Sequence, residues 1–135
     1  MAPEEQNPKL LSPLTLAFVG DGVYELLVRK RIVEAGSMPP KKLNAHKVEM
    51  VRASAQAAVY DGLEPLLTED ERDMLKRGRN AHTGSVPKNA QMADYRKATG
   101  VEALFGFLYL NGDRERLYFL FDEAMRICTV RVEKK

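Results

Sequence analysis

The sequence has few of the residues that build disulfides and zinc sites. Its one cysteine, Cys128, excludes an intrachain disulfide and favours a reducing, cytoplasmic compartment. Its two histidines, His46 and His82, are too few to favour a zinc site. No apolar run approaches the ~20 residues of a membrane span, and MAPEEQNPKLL lacks the basic and apolar regions of a signal peptide. These absences predict a cytoplasmic protein without a membrane contact.

Length and composition predict one folded domain. The 135 residues are 44% hydrophobic and 30% charged, which suits a single core and is too short for two domains of ordinary size. We therefore expect a single domain over residues 1–135, with a flexible N-terminal segment over residues 1–10. The net charge of +2 is too small to identify a polyanionic partner by itself.

Every long segment has the periodicity of a helix, and none alternates as a β-strand does, so we predict an all-α fold. The first helix has Ser12 as N-cap and Pro13 at its first position, and Gly36 ends it. Thr68 and Glu71 form a capping box at the start of another helix. The later helices are predicted over residues 41–63 with a break near Val51, 70–78, 92–110 and 114–128. The intervening loop, residues 79–91, is long for a small helical domain and indicates a functional role.

Two acidic residues interrupt apolar segments that contain glycine. Asp21 lies within LAFVGDGVY and Glu102 within ATGVEALFGFLYL. A buried carboxylate is costly without a partner, and the small residues allow two helices to approach closely. Two carboxylates that meet at such a contact repel each other unless they are neutralised, which a divalent cation does directly. The pattern predicts a Mg²⁺ or Mn²⁺ site and metal-assisted phosphodiester hydrolysis.

A structural role is the alternative for each of these acids. A single acid in an apolar helix is often bonded to a neighbouring Arg or Tyr, and Tyr24 and Arg96 are available partners. The local charge also has two interpretations. Six of the basic residues fall between Lys76 and Lys97, opposed only by Asp94. This patch either follows phosphates or is a solvated surface.

Three motifs carry a resemblance to a known family. FVGDGVYELL resembles the signature helix of the ribonuclease III family, whose core reads FLGDAV, with Gly20-Asp21 and Glu25 at matching positions. VEALFGFLYL resembles the second segment of that family, FEALIGAIYL, and Gly78-Arg79 resembles its Gly-Arg element. Order and spacing agree from about Leu14 to Cys128. The loop NAHTGSVPKNAQ, with ADYRKATGVEALFG after it, is similar to the Mini-ribonuclease III branch, which consists of the catalytic domain alone.

The resemblance implies an all-helical homodimer that cleaves double-stranded RNA with Mg²⁺, for which Mn²⁺ is a possible substitute. It implies products with 5′ phosphates and 3′ hydroxyls. The cellular task that it implies is maturation of the ends of the 23S ribosomal RNA precursor, and a ribosomal protein is a candidate partner. An alternative of another class is a non-catalytic RNA- or ribosome-binding helical dimer, and a third is a purely structural interaction protein.

The resemblance assigns roles to particular residues. Asp21 and Glu102 correspond to catalytic metal ligands, whereas Leu14, Ala17 and Thr99 replace three acids of the fuller family pattern. The loss of those acids is the support for the non-catalytic alternative. Thr99 is expected to hydrogen-bond around the metal site.

Two residues beside Asp21 also have expected roles. Glu25 is expected either to support the site from one turn away or to form an ordinary salt bridge. From the resemblance, Phe18 is expected to insert across the dimer interface. The usual preference of phenylalanine for burial alone would instead predict a core residue.

The RNA must be held by this domain itself, and double-stranded RNA is recognised mostly through phosphates, 2′-hydroxyls and shape. The region around the long loop is the best candidate for these contacts. Its predicted RNA-binding residues are Arg77, Arg79, Asn80, His82, Lys88 and Asn89. The basic runs at 29–31 and 41–42 are weaker candidates, because charges at helix ends often serve the helix dipole.

Overall fold

The structure is a computed structural model that describes residues 7–81 and 90–133, with side chains for residues 7–81 and 91–130. In these ranges the chain forms helices and no strand, so the all-α prediction is confirmed. None of the described helices is long and apolar enough to cross a membrane. The described residues form six α-helices, α1 (Pro13–Val33), α2 (Pro40–Val51), α3 (Ala53–Leu63), α4 (Glu69–Asn80), α5 (Ala90–Leu110) and α6 (Arg114–Glu133), with 3-10 turns at Pro8–Leu10 and Glu64–Leu66.

Local sequence signals set the helix ends, as predicted. The Ser12 hydroxyl accepts a hydrogen bond from the Thr15 backbone N–H at 3.1 Å, which caps α1. After α1 the chain turns at Gly36, whose φ of 115° favours glycine. The Thr68 hydroxyl accepts from the Glu71 N–H, and the Glu71 carboxylate accepts from the Thr68 N–H, so the capping box is confirmed.

The structure confirms one predicted helix boundary and corrects another. Arg52, with ψ of 155°, separates α2 from α3 at the predicted break. The predicted end of α4 at Gly78 is wrong, because the helix continues to Asn80. A Cβ on Gly78 would lie 2.8 Å from the Gly100 Cα and 2.7 Å from the Ala103 Cβ. Gly78 therefore serves the close contact between α4 and α5 and does not terminate the helix.

Helix α5 lies at the centre of the domain, against α1, α3 and α4. All its residues from 98 to 108 are buried except Glu102, which is half-buried. A helix that is apolar on every side is expected in the middle of a bundle. The one acid on this stretch therefore stands in the least polar part of the molecule.

Aromatic rings join α1, α5 and α6 in the core. Tyr24 packs edge-to-face against Phe105 at 5.0 Å between ring centroids and against Phe121 at 5.7 Å. Phe105 and Phe121 meet in the same geometry at 6.4 Å. Such pairs add about 0.5–1.5 kcal/mol each beyond their buried area. They hold the half of α1 that follows Asp21 firmly against α5.

The N-terminal segment, where it is described, packs against α4. The Lys9 ammonium lies 2.8 Å from the Asp70 carboxylate. The Arg77 guanidinium donates to the backbone carbonyls of Lys9 at 3.1 Å and Leu11 at 3.3 Å. Residues 7–10, which were expected to be flexible, thus form a short turn with defined contacts, and residues 1–6 lie outside the described chain.

Candidate active site

The site begins at the point where α1 crosses α5. A Cβ on Gly20 would lie 1.6 Å from the backbone oxygen of Glu102, and one on Gly106 would lie 1.9 Å from that of Leu16. Both positions therefore require glycine, and the two backbones touch. The prediction that Gly20 provides clearance for a close neighbour is confirmed. At Gly22 a Cβ would meet nothing within 4 Å in the described chain, so clearance there for a metal shell or for RNA stays a prediction.

The crossing brings the carboxyl groups of Asp21 and Glu102 together. The pKa of Glu102 is raised from 4.5 to about 7. Burial is the largest cause, followed by the charge of Asp21; a hydrogen bond from Gln56 opposes the rise, and a hydrogen bond between the two carboxyls adds to it. Asp21 itself is exposed, so the expectation of a buried aspartate is wrong for the single chain. The pair thus has one carboxylate open to solvent and one recessed in the helix contact.

This pair suits a hard divalent cation. Its donors are carboxylate oxygens, and its mutual repulsion is relieved by a positive charge placed between them. Over the described residues, no group of three or more His, Cys, Asp or Glu side chains could hold a metal. Mg²⁺ fits such a sparse site, because it keeps several waters and usually takes one or two protein carboxylates.

Gln56 of α3 is a member of the site that the sequence analysis missed. Its side-chain amide nitrogen donates to a Glu102 carboxylate oxygen at 3.3 Å and to the Val51 carbonyl at 2.9 Å. Its side chain is buried, with 4% exposed. The sequence feature that could have indicated Gln56 is its position as a single amide among the small and apolar residues of ASAQAAVYDGL.

If the two acids had only a structural role, their expected partners were Tyr24 and Arg96. The Tyr24 hydroxyl and the Arg96 Nε are buried, and neither has a hydrogen-bond partner within the described part of the chain. Burial, followed by the charges of Cys128 and Glu102, raises the pKa of Tyr24 well above its usual value. The charge of Glu102 thus affects the pKa of Tyr24, but the Tyr24 hydroxyl does not hydrogen-bond to Glu102.

Comparison with known proteins agrees with this geometry. Residues 14–113 match the ribonuclease III domain. The chain belongs to the ribonuclease III family. It is 50% identical to Mini-ribonuclease 3 of Symbiobacterium thermophilum over 82% of this chain and 85% of that one. It is 44% identical to Mini-ribonuclease 3 of Brevibacillus brevis, over 90% and 91% respectively.

A solved structure supports the fold. A crystal structure of a Fusobacterium nucleatum protein superposes with a TM-score of 0.78 and 28% identity, covering 87% of this chain and 93% of that one. The ribonuclease III membership makes the chain an endoribonuclease of a family that acts on double-stranded RNA and generally depends on a divalent metal. It also confirms the resemblance to Mini-ribonuclease III.

The positions at which the family's acids are replaced lie close to the pair. Ala17 is buried, and Leu14 is 40% exposed. The Thr99 hydroxyl donates to the Tyr95 carbonyl at 3.1 Å, within its own helix. Glu25 forms ion pairs with Arg29 at 3.0 Å and with Lys47 of α2 at 3.8 Å, the salt-bridge arrangement considered for it above. Supporting roles for Thr99 and Glu25 in this ribonuclease III site stay predictions.

Phe18 lies on the outer surface of the described chain. Its side chain is 83% exposed, so the interpretation as a core residue is wrong. One and two turns further along α1, Gly22 and Leu26 line an apolar groove that Tyr109 of α5 and Tyr118 of α6 complete. This surface is compatible with the dimer interface that the ribonuclease III resemblance implies, and the role of Phe18 in it stays a prediction.

The predicted RNA-binding residues fall into three groups. Arg77 donates to backbone carbonyls, as described above, and so stabilises the N-terminal segment. Arg79 donates to the Tyr60 hydroxyl at 3.0 Å and to the Asn80 side chain at 3.1 Å, at the exposed end of α4. His82, Lys88 and Asn89 lie outside the described residues. Contact of these side chains with RNA stays a prediction.

The first of the two weaker basic runs, residues 29–31, is paired with acids, whereas Lys41 and Lys42 are exposed and their contact with RNA stays a prediction. Lys30 bonds to Glu34 at 3.0 Å, and Arg31 bonds to Asp122. Arg29 is engaged with Glu25. These pairs account for the first basic run without an RNA partner.

Proposed function

We propose that this chain cleaves double-stranded RNA in a Mg²⁺-dependent reaction at the Asp21–Glu102 pair, with Mn²⁺ as a possible substitute. The observation that carries the proposal is the meeting of these two carboxyl groups at a helix crossing that only glycine permits. Glu102 holds a pKa of about 7 in the absence of any cation, so its ionised form is poorly stabilised by the protein alone. A site that favours its charged form only with a cation bound is a natural metal site.

The two acids are proposed to bind the cation from different sides, because one is exposed and the other is recessed. Asp21 is exposed and would hold the cation from the solvent side. Glu102 is recessed and would hold the same cation from α5. When bound, the cation supplies a water of lowered pKa and offsets negative charge on the phosphate in the transition state. Because Leu14, Ala17 and Thr99 supply no carboxylate, we expect weaker metal binding than in a site with more acids.

We further propose a homodimer as the acting form. Two sites related by a two-fold axis each cut one strand of a duplex, which leaves 5′ phosphates, 3′ hydroxyls and short 3′ overhangs. The exposed Phe18 and the apolar groove beside it support this assembly. The proposed substrate is the 23S ribosomal RNA precursor, with a ribosomal protein as a further partner. This assignment of substrate rests on the likeness to the Mini-ribonuclease 3 proteins.

A cleavage assay with matched variants tests the proposal. A duplex from a 23S precursor is incubated with the protein and Mg²⁺, and the ends of the products are mapped. Asp21→Asn and Glu102→Gln are expected to lose more than about 100-fold in rate, because each removes a direct ligand, while duplex binding and the dimer persist. Glu34→Gln removes a carboxylate that directly follows α1 and is paired with Lys30, far from the crossing, and is the control.

Two outcomes would contradict the proposal. An Asp21→Asn protein that cuts at the normal rate would remove this pair from the reaction. Binding without cleavage by the unmodified protein, at every salt and metal concentration, would favour the non-catalytic RNA-binding dimer. No affinity for duplex RNA even at low ionic strength would favour a structural interaction protein.

A further inference from the structure

We infer that Gln56 is a positioning residue that holds the Glu102 carboxylate in the orientation from which it binds the cation. This inference rests on the function proposed above. Gln56 is buried and hydrogen-bonds to Glu102, so its effect passes through that carboxylate. Its role is separate from that of the carboxylates, because it adds a hydrogen-bond donor and no charge.

The Gln56 side chain is built into the packed interior. Only 4% of the residue is exposed. Its amide nitrogen reaches the Val51 carbonyl at 2.9 Å and the Glu102 Oε2 at 3.3 Å, so one NH₂ group bridges the end of α2 and the middle of α5. A buried amide with two fixed acceptors has little rotamer freedom, which is what a supporting residue needs.

The orientation of the amide is determined by its neighbours. Val51 offers a backbone carbonyl, which only accepts hydrogen bonds, so the NH₂ end must face it. The reversed amide would place its oxygen against the Val51 carbonyl at about the same distance as the present bond and would lose both donations. The donor therefore faces Glu102 in either protonation state of that carboxyl.

The break between α2 and α3 creates this bond. Val51 is the last residue of α2, and carbonyls at a helix end lack partners within their own helix. Gln56 lies in the second turn of α3 and satisfies the Val51 carbonyl. The same amide then reaches Glu102, so the position of the break in the chain fixes the position of the carboxylate.

The remaining atom of the amide also indicates a role beyond packing. Gln56 Oε1 is buried and has no hydrogen-bond partner among the described residues. An unsatisfied buried oxygen costs about 1–3 kcal/mol. A methionine of similar size would avoid that cost but would leave the Val51 carbonyl and the Glu102 carboxyl without the amide donor. The value of the amide at this position therefore lies in its two donations, and the one to Glu102 acts on the site.

The bond leaves the carboxylate able to bind a metal. An ionised carboxyl has about four acceptor directions, and Gln56 uses one of them, on Oε2. The others remain for the cation and for its water shell. Gln56 also favours the ionised form of Glu102, since its hydrogen bond acts against the effects of burial and of Asp21.

Gln56→Met is the test, because it keeps the length and removes the donor. Mn²⁺ alone is titrated into the protein by calorimetry, and kcat and KM for a duplex RNA are measured at limiting and at saturating Mn²⁺. We expect Mn²⁺ affinity and kcat at limiting Mn²⁺ to fall about 10–100-fold. We expect KM for RNA to stay within about twofold and saturating Mn²⁺ to restore most of kcat.

Two further variants separate positioning from folding. Leu63→Ala deletes a fully buried α3 side chain seven residues after Gln56, and it is expected to lower the melting temperature without changing Mn²⁺ affinity. Gln56→Asn keeps an amide but is too short to span both acceptors, and it is expected to weaken Mn²⁺ binding in the same direction as Gln56→Met. All melting temperatures are recorded in the presence of a chelator, so that metal binding does not contribute to them.

Unchanged Mn²⁺ affinity in a folded Gln56→Met protein would overturn the inference. Loss of activity in proportion to melting temperature, as in Leu63→Ala, with unchanged Mn²⁺ affinity would overturn it too. Asp21→Asn, measured alongside, distinguishes a failure of the Gln56 inference from a failure of the proposed metal site. If Asp21→Asn loses Mn²⁺ and Gln56→Met does not, only the role of Gln56 fails; if Asp21→Asn binds Mn²⁺ normally, the proposed site itself fails.

Discussion

At the scale of single residues, the two carboxylates of the site differ in environment although they touch. Asp21 is exposed, and Glu102 is half-buried on an otherwise buried stretch of α5. Burial is the largest cause of the raised Glu102 pKa, ahead of the charge of Asp21. The recessed acid therefore depends most on what is bound beside it.

This difference predicts a pH dependence in the metal-free protein. The folded pKa of Glu102, about 7, exceeds its ordinary value of 4.5. Its stabilising contribution is therefore complete below about pH 4.5 and is lost as the pH rises through about 7. We expect Glu102→Gln to gain about 1–2 kcal/mol of relative unfolding free energy between about pH 5 and pH 8, a value discounted for partial exposure.

Chemical denaturation in chelator at both pH values measures this change. Asp21→Asn is expected to reduce it, since one of its causes is the charge of Asp21. A pH-independent difference between wild type and Glu102→Gln would contradict the raised pKa. Acids that do not interact with Glu102 titrate alike in both proteins and cancel in the comparison.

At the scale of elements, the site depends on how closely α1 and α5 approach. Gly20 and Gly106 let the two backbones touch, and Gly78 and Gly100 do the same for α4 and α5. The central helix is thus fixed by glycine contacts on two sides. This arrangement sets the distance between the acids more rigidly than side-chain packing alone would.

Two glycines that flank Asp21 should respond in opposite ways to alanine. Gly20→Ala places a Cβ 1.6 Å from a backbone oxygen and is expected to destabilise the fold by more than about 3 kcal/mol. Gly22→Ala meets nothing within 4 Å in the described chain and is expected to stabilise α1 by up to ~1 kcal/mol. Thermal and chemical denaturation measure the stability of both variants. Equal changes in the free energy of unfolding would contradict the observed crossing of α1 and α5.

Arg77 connects α4 to the N-terminal segment through backbone carbonyls. We expect Arg77→Ala to lower the free energy of unfolding by about 1–3 kcal/mol, while Lys76→Ala, at an exposed neighbouring position, changes it by less than about 0.5 kcal/mol. Denaturation and duplex-binding titrations at several salt concentrations measure both effects. A loss of RNA affinity in Arg77→Ala with unchanged stability would instead assign Arg77 to the phosphates.

At the scale of the whole molecule, one surface is markedly apolar. Phe18 is exposed, and the groove between α1 and α6 presents Leu26 and Tyr118. Single exposed apolar residues are ordinary, but a contiguous group marks an interaction site. The proposed homodimer covers this surface and adds a second cleavage site.

Phe18→Asp is expected to convert the dimer to a monomer, because it places a charge in an apolar interface. Sedimentation equilibrium measures the mass, and gel analysis shows whether one or both strands are cut. Val33→Asp, at another exposed position of α1 outside the groove, is the control and should stay dimeric. A wild-type monomer that cuts both strands would exclude the dimer mechanism.

The sequence by itself determined the helices and the chemistry of the pair. Caps such as Ser12 and Thr68 act through neighbours a few residues away, so the helix starts were predictable. Asp21 and Glu102 were recognisable because an acid in an apolar, glycine-containing segment is unusual. That signal lies in the neighbouring residues and does not depend on which segment the acid meets in the fold. The family resemblance followed from the same short motifs.

Only the tertiary structure decided what surrounds these residues. The exposure of Asp21 and Phe18, the bond from Gln56 to Glu102 and the hydrogen bonds of Arg77 all join segments that are distant in sequence or depend on their packing. The end of α4 was mispredicted for the same reason. Gly78 allows the close contact between α4 and α5, and it does not terminate α4. Caps and periodicity act within a few residues of chain, whereas burial, pKa and hydrogen-bond partners are set by helices that meet only in the folded protein.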